Sequence, residues 1–276
     1  MNVLVIGGGN MGMTYAEAIA KSNFLTSGSL MIFDNNEEKR AMLRARELFD
    51  VHSRLDTCLH DADIVLMAVK PVHVPALMEE MKPMVLVDQL IVSIMAGVTI
   101  DTLKRGLGIG KVVRAMPNLP ALVGLGMTTF TASEEVSESE LSTIQSLLDT
   151  TGRSLRVVSE SEIDASTGIS GSGPAYIFYF MQALLDAALK MGFCEEDARL
   201  LVGQTFSGAV KLFNSSDIGP EEWMAKVASK GGTTRAALDS LDDNHVNPFI
   251  QEAAYAAFRR AEELGKETLP GEEGNV

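Results

Sequence analysis

Val3-Leu4-Val5-Ile6-Gly7-Gly8-Gly9-Asn10-Met11-Gly12-Met13-Thr14-Tyr15 joins an apolar run to a helical one through a glycine-rich turn. Val3 to Ile6 are all aliphatic, with no polar residue among them, as in a parallel strand covered on both faces. Gly7, Gly9 and Gly12 fit G-x-G-x-x-G. Between a strand and a helix that spacing has a physical meaning. Gly7 permits the tight turn, Gly9 lets a pyrophosphate approach the backbone, and Gly12 lets helix and strand pack closely. The bland alternative is a merely flexible turn.

The same alternation recurs on the C-terminal side. Apolar runs at Leu30–Phe33, 64–69, 90–95 and 111–115 read as strands. Helical segments lie between them at 14–21, 37–49, Val74–Met81 and Ile100–Leu107. Strand, helix, strand repeated in this way predicts an α/β domain, a Rossmann-type doubly wound, mostly parallel sheet. A strand at 127–132, a helix at Glu138–Leu148 and a strand at 155–158 extend it. After Ser159 the pattern changes to helices, at 176–191, Glu195–Asn214, 220–228, 234–241 and 248–264. Two domains are expected, 1–159 and 160–276. The helix at 176–191 is apolar all round, with Ile177, Phe178, Phe180, Leu184 and Leu185. Such a helix belongs in a core or at a subunit interface. The tail 266–276, acidic and bearing Gly and Pro, is expected to fray.

Composition narrows the function. Hydrophobic residues make up 46% of 276, enough for substantial cores, and the net charge is −14. That charge argues against nucleic acid, whose phosphates call for clustered Lys and Arg. The longest uncharged run, from Ala165 to Leu185, contains a Gly/Ser/Pro segment, so its apolar part falls short of the ~20 residues that span a bilayer. The strand-like start leaves no room for a signal peptide. Cys58 and Cys194 lie far apart, and His52, His60, His73 and His245 lack metal-ligand spacing. A reduced, cytoplasmic protein without a bound metal is expected. The 15 methionines read as core or interface filler.

Ligands of open α/β sheets sit beyond the carboxyl ends of the strands. Gly7, Gly9, Asn10, Met11 and Gly12 are therefore assigned to a dinucleotide. Asp34, with Asn35, ends the second strand about 20 residues beyond the glycines, where an acid binds the adenosine ribose hydroxyls. Ala68-Val69-Lys70-Pro71 and Met95-Ala96-Gly97 end two later strands and should line the same cleft. Asp34 also suits a plain turn and Lys70 a solvated loop.

In the helical half, Val227-Ala228-Ser229-Lys230-Gly231-Gly232-Thr233-Thr234-Arg235 places two glycines directly before a helix. Bared N–H groups at a helix start attract an anion. The segment holds no His, Cys, Asp or Glu, so it suits holding a carboxylate and offering a hydroxyl. A Gly-Gly turn capped by Thr is the structural alternative. Ser170-Gly171-Ser172-Gly173-Pro174-Ala175-Tyr176 reads as another helix start, with Pro174 in the first turn.

Taken together these segments resemble the pyrroline-5-carboxylate reductase family. The resemblance runs through the glycine turn, Ala68 to Pro71, Ala96-Gly97-Val98-Thr99, Arg114-Ala115-Met116-Pro117-Asn118, Ser170 to Tyr176 and Ser229 to Thr234, the last being the most specific. It implies NAD(P)H-dependent reduction of the cyclic imine 1-pyrroline-5-carboxylate to L-proline. It also implies homodimers built by an all-helical C-terminal dimerisation domain, often five dimers in a ring. By the same resemblance Ser229, Gly231, Gly232 and Thr233 hold the substrate carboxylate, and Thr234 hydrogen-bonds the ring nitrogen. Glu160 and Asp217 match positions near the substrate in some members.

Three positions depart from the family pattern. Leu119 stands where Thr is frequent, and Lys226 where relatives carry Asn or Asp. Asp34-Asn35 replaces the small or Asn-Arg pair of many NADPH-using members. An anion there with no Arg beside it repels a 2′-phosphate, so NADH is expected to serve at least as well as NADPH. Two other readings stay open: a two-domain 3-hydroxyacid dehydrogenase and a dinucleotide-sensing protein without turnover. The dehydrogenase would need a catalytic lysine on its first C-terminal helix, and residues 173–189 contain none.

Overall fold

A computed structural model of the chain describes residues 1–267. They form two compact units, residues 1–172 with 256–267, and Gly173–Tyr255.

The first unit is built on one eight-stranded sheet, ordered β3-β2-β1-β4-β5-β6-β7-β8. The strands are β1 (Val3–Ile6), β2 (Leu30–Phe33), β3 (Asp50–His52), β4 (Ile64–Met67), β5 (Leu90–Ser93), β6 (Val112–Met116), β7 (Gly126–Ala132) and β8 (Gly152–Arg156). β1 to β6 are mutually parallel; β7 runs antiparallel to β6, and β8 follows it in parallel. The strand expected at 155–158 begins earlier, at Gly152, and Asp50–His52 is an additional edge strand.

Alternate residues of each central strand enter different cores, because side chains on a strand point to opposite faces. Val3 and Val5 pack on one side with Ile32, Leu66, Val92, Ile19 and Ile144. Leu4 and Ile6 pack on the other with Met31, Val65, Met67, Leu77 and Leu103. These side chains are almost wholly removed from water. Each contributes about 1.5–3 kcal/mol relative to exposure.

The flanking helices are α1 (Asn10–Lys21), α2 (Glu37–Arg44), α3 (Val74–Met81), α4 (Ile100–Leu107), α5 (Glu138–Leu148) and α6 (Glu160–Ser166). Their starts follow local chemistry. The Thr99 hydroxyl accepts the Thr102 N–H at 3.1 Å, and Gly108, at φ 74°, ends α4 in the left-handed region that glycine tolerates. Ser137 and Glu140 form a reciprocal capping box at α5, and Lys111 reaches the Glu140 carboxylate at 2.8 Å. The buried Tyr15 hydroxyl ties α1 to β7 through Thr128 at 2.9 Å, and burial pushes its phenol pKa up.

α2 is shorter than the 37–49 expected. It ends at Arg44, and Glu47 turns the chain with φ 54°. Helix-forming residues at 45–49 yield to the turn that brings β3 alongside β2. Residues 160–172 pack with the first unit. α6 lies against β6 and β7 and continues through a π-helical turn at Thr167–Gly171.

The second unit holds α7 (Gly173–Lys190), α8 (Glu195–Asn214), α9 (Pro220–Val227), α10 (Thr233–Asp243) and the start of α11 (Val246–Glu267). α7 and α8 pack on each other. Of the two places expected for residues 176–191, a core or a subunit interface, a core within this chain is not the one formed. α7 has no buried residue, and Phe178 and Tyr179 are 59% and 77% exposed. The apolar circumference is real, but the chain alone does not cover it. Of the tail, residues 268–276 lie outside those described.

Candidate active site

The glycine turn is built as the spacing predicts. Gly7 has φ 105°, and the Gly7 N–H donates to the Phe33 carbonyl at 2.8 Å, joining the turn to β2. A Cβ on Gly12 would lie 1.9 Å from the Gly7 carbonyl oxygen, so only glycine allows α1 to start this close to β1. Nothing stands within 4 Å of a Cβ placed on Gly9. That open cradle at the N-terminus of α1 fits a dinucleotide pyrophosphate.

A cleft of 1280 Å³ opens over this turn. Gly9, Asn10, Met11, Ala68, Val69, Lys70, Pro71, Met95 and Ala96 line it, so three separate segments singled out in the sequence converge. Gly7 and Gly12 shape the turn from beneath, and Gly97, at φ 75°, makes the bend after Ala96. Sequence reasoning missed Lys39, Met42 and Arg46 of the α2 region, and Leu122 and Gly124 after β6. Only the helical spacing of Lys39, Met42 and Arg46 could have pointed to a shared face.

Asp34 is buried at the end of β2. Its Oδ2 accepts the Gly8 N–H at 2.8 Å and its Oδ1 accepts the Asn36 N–H at 2.8 Å. Lys39 Nζ stands 3.6 Å from Oδ2. Asn35 is exposed in the turn that follows, and Asn36 caps α2 by accepting the Lys39 N–H at 2.9 Å. The acid thus couples the glycine turn to β2, with lone pairs left for a ribose hydroxyl.

Glu160 engages the protein through one carboxylate oxygen. Its Oε1 accepts the Ile100 N–H at 3.0 Å, supplying the start of α4, and an Arg114 N–H at 3.0 Å. Arg114 is buried on β6 and donates to Asp164 as well. One guanidinium thereby ties β6 to α6, and Glu160 ties both to the segment after Met95-Ala96-Gly97. Asn118 bridges in a similar way, donating to the Ser170 carbonyl at 2.9 Å and accepting the Met127 N–H at 2.9 Å. α6 was not expected because Ile163 is its one large apolar residue; the Ser159 start with Glu160 and Glu162 was the available signal.

In the second unit, Ser229 to Thr234 form a tight turn into α10. Gly231 has φ 72°, and Gly232 is the residue before the helix. The Gly232 N–H donates to the Ser229 carbonyl at 3.0 Å and closes the turn. The first-turn amides of Thr233 and Thr234 have no intrahelical acceptor and face outward as a helix start does. Ser229, Gly231 and Thr233 are exposed, and Thr234 is half-buried. Asp217 is exposed in the turn between α8 and α9.

The family description "Pyrroline-5-carboxylate reductase dimerisation" matches residues 160–264, and "NADP oxidoreductase coenzyme F420-dependent" matches residues 2–97. A pyrroline-5-carboxylate reductase from Pseudomonas aeruginosa is 35% identical over 266 residues, 96% of this chain and 97% of that one. This chain belongs to the pyrroline-5-carboxylate reductase family. The solved reductase of that family from Coxiella burnetii superposes with a TM-score of 0.87 at 30% identity, covering 95% of this chain and 98% of that one. The one from Plasmodium falciparum, solved with NADP bound, gives 0.84 at 28% identity, covering 96% and 98%. Membership makes the chain an oxidoreductase and sets aside both the 3-hydroxyacid dehydrogenase and the sensor without turnover. A nicotinamide dinucleotide is the cofactor for which the cleft is formed. Among the described residues, no helix is long and apolar enough to cross a membrane.

Proposed function

We propose that the protein catalyses NAD(P)H-dependent reduction of 1-pyrroline-5-carboxylate to L-proline, the last step of proline biosynthesis. The full-length likeness to reductases of that imine carries the proposal. The turn from Ser229 to Thr234 supports it, being built to hold and orient rather than attack.

The dinucleotide supplies a hydride when bound. A C=N carbon accepts hydride best when its nitrogen is protonated, so what the chain must supply is positioning and exclusion of water. The turn at Gly231, Gly232 and Thr233, with Ser229, holds the carboxylate. The Thr234 hydroxyl aims the nitrogen and passes a proton. Glu160, whose Oε1 caps the start of α4, is proposed near the substrate. Asp217 is proposed as a polar neighbour of the substrate on the α8–α9 turn. Gly9, Asn10 and Met11 hold the pyrophosphate; Asp34 and Asn35 hold the ribose; Ala68 to Pro71 and Met95 to Gly97 flank the nicotinamide half. With Asp34 at the ribose, NADH serves at least as well as NADPH.

A homodimer formed through the C-terminal helices covers the apolar face of α7, and a ring of five such dimers is the larger assembly. A cytoplasmic setting accords with two cysteines too far apart in sequence to suggest a disulfide framework. The deciding assay follows NADH absorbance with pyrroline-5-carboxylate and purified protein. Proline-dependent reduction of NAD⁺ at high pH is the reverse check. Absence of both activities overturns the proposal.

A further inference from the structure

We propose that Lys39 is a specificity-determining residue of the dinucleotide site: its ammonium offsets the Asp34 carboxylate and receives a 2′-phosphate, so one site takes both cofactor forms. This rests on the dinucleotide reading above and is independent of the imine reaction.

The sequence shows no arginine beside Asp34, and on that ground the acid alone is expected to repel a 2′-phosphate. The fold changes the electrostatics by bringing α2 back over the end of β2. Lys39 Nζ lies 3.6 Å from Asp34 Oδ2, the oxygen that also accepts the Gly8 N–H. Lys39 lines the cleft together with Gly8 and Gly9. The carboxylate cannot turn away from an incoming phosphate, because each of its oxygens holds a backbone N–H at 2.8 Å. A phosphate on the ribose 2′-oxygen must therefore sit beside a fixed anion, and only a cation at the same place makes that tolerable.

The neighbouring cations face other groups. Arg40 is buried, donates to the Asp34 carbonyl at 2.9 Å and pairs with Glu37. Arg44 also faces Glu37, at 3.7 Å, and Arg46 pairs with Glu17. Lys39 differs in that its partner is the ribose-reading carboxylate itself. Its side chain is 48% exposed, so the pair with Asp34 is weak and its flexible stem lets the ammonium move. A mobile cation anchored at a fixed anion can serve either form. It neutralises Asp34 when the 2′-position is a hydroxyl and moves onto the phosphate when one is present.

The test measures dissociation constants of the full chain for NADP⁺ and NAD⁺ by titration calorimetry, in wild type, Lys39→Met and Lys39→Arg. Adenosine 2′-phosphate and adenosine serve as fragment probes. Loss of one charge-assisted contact in Lys39→Met is expected to raise the ratio Kd(NADP⁺)/Kd(NAD⁺) about tenfold. Lys39→Arg should return the ratio close to wild type, and adenosine 2′-phosphate should lose affinity where adenosine does not. Added salt should weaken NADP⁺ binding more steeply in wild type than in Lys39→Met. A ratio that stays within about twofold in Lys39→Met, or an equal weakening of both dinucleotides, overturns the proposal. A wild-type protein that binds neither dinucleotide overturns the cofactor reading and this proposal with it.

Discussion

The Asp34 carboxylate accepts the Gly8 backbone N–H at 2.8 Å, so the residue proposed to face the ribose also holds the turn proposed to face the pyrophosphate. Replacing Asp34 with Ala removes both functions at once and leaves the Gly8 and Asn36 amides without their acceptor. We expect a loss of about 1–3 kcal/mol in stability, together with weaker binding of NADH. Thermal denaturation and NADH titration check the two effects. An unchanged melting temperature would show that the turn holds its shape without the acid.

Arg114 on β6 is buried between Glu160 and Asp164. Arg114→Met leaves two carboxylates facing a hydrocarbon chain. Both carboxylates are partly exposed, so losing these charge-assisted hydrogen bonds should cost about 1–3 kcal/mol. Because Glu160 also caps the Ile100 amide, the segment 95–99 should loosen as well. Urea denaturation measures the first effect, and amide exchange around Ile100 the second.

Glu140 carries a pH dependence of known sign. Burial alone would raise its pKa, but the Lys111 ammonium and the Ser137 hydroxyl and N–H outweigh it and hold it at about 2, below the ordinary 4.5. A depressed carboxylate stabilises the fold above its unfolded pKa, and that contribution is lost as pH falls through the folded one. The loss should fall between about pH 4.5 and 2. Glu140→Gln, which keeps a capping side chain but not the charge, should flatten melting temperature against pH in that window.

Thr234→Ala is expected to lower kcat by about 10–100-fold, the loss of one hydrogen bond of ~1.5–3 kcal/mol. Steady-state kinetics with saturating imine checks it; an unaltered kcat removes the hydroxyl from the mechanism.

Tyr179 is 77% exposed on a helix with no buried residue. A charge placed there by Tyr179→Glu should shift the protein from dimer toward monomer by sedimentation velocity. A wild-type protein that sediments as a monomer refutes the interface outright.

The parallel sheet was legible because its strands are covered on both faces and contain almost nothing but Val, Ile, Leu and Met. The glycine turn and the two later loops were legible because strand ends in such sheets share one edge. Asp50–His52 was not, since three residues at a sheet edge carry no period. Nor was α6, whose polar residues serve Arg114 and whose helical face amounts to Ile163. Lys39 escaped for a different reason: its meaning depends on which way α2 turns after Asn36, and charge in the sequence Glu37-Glu38-Lys39-Arg40 reads as a solvated helix start.

β1 divides its residues between two cores, Val3 and Val5 to one side, Leu4 and Ile6 to the other. Deleting a single residue from that strand would exchange the two sets, setting larger side chains where valines fit and valines where the space is larger. The same division holds for β2, β4 and β5. Changes of length are therefore confined to the connections, and the strands behave as fixed rulers that transmit no slippage to the cleft at their ends.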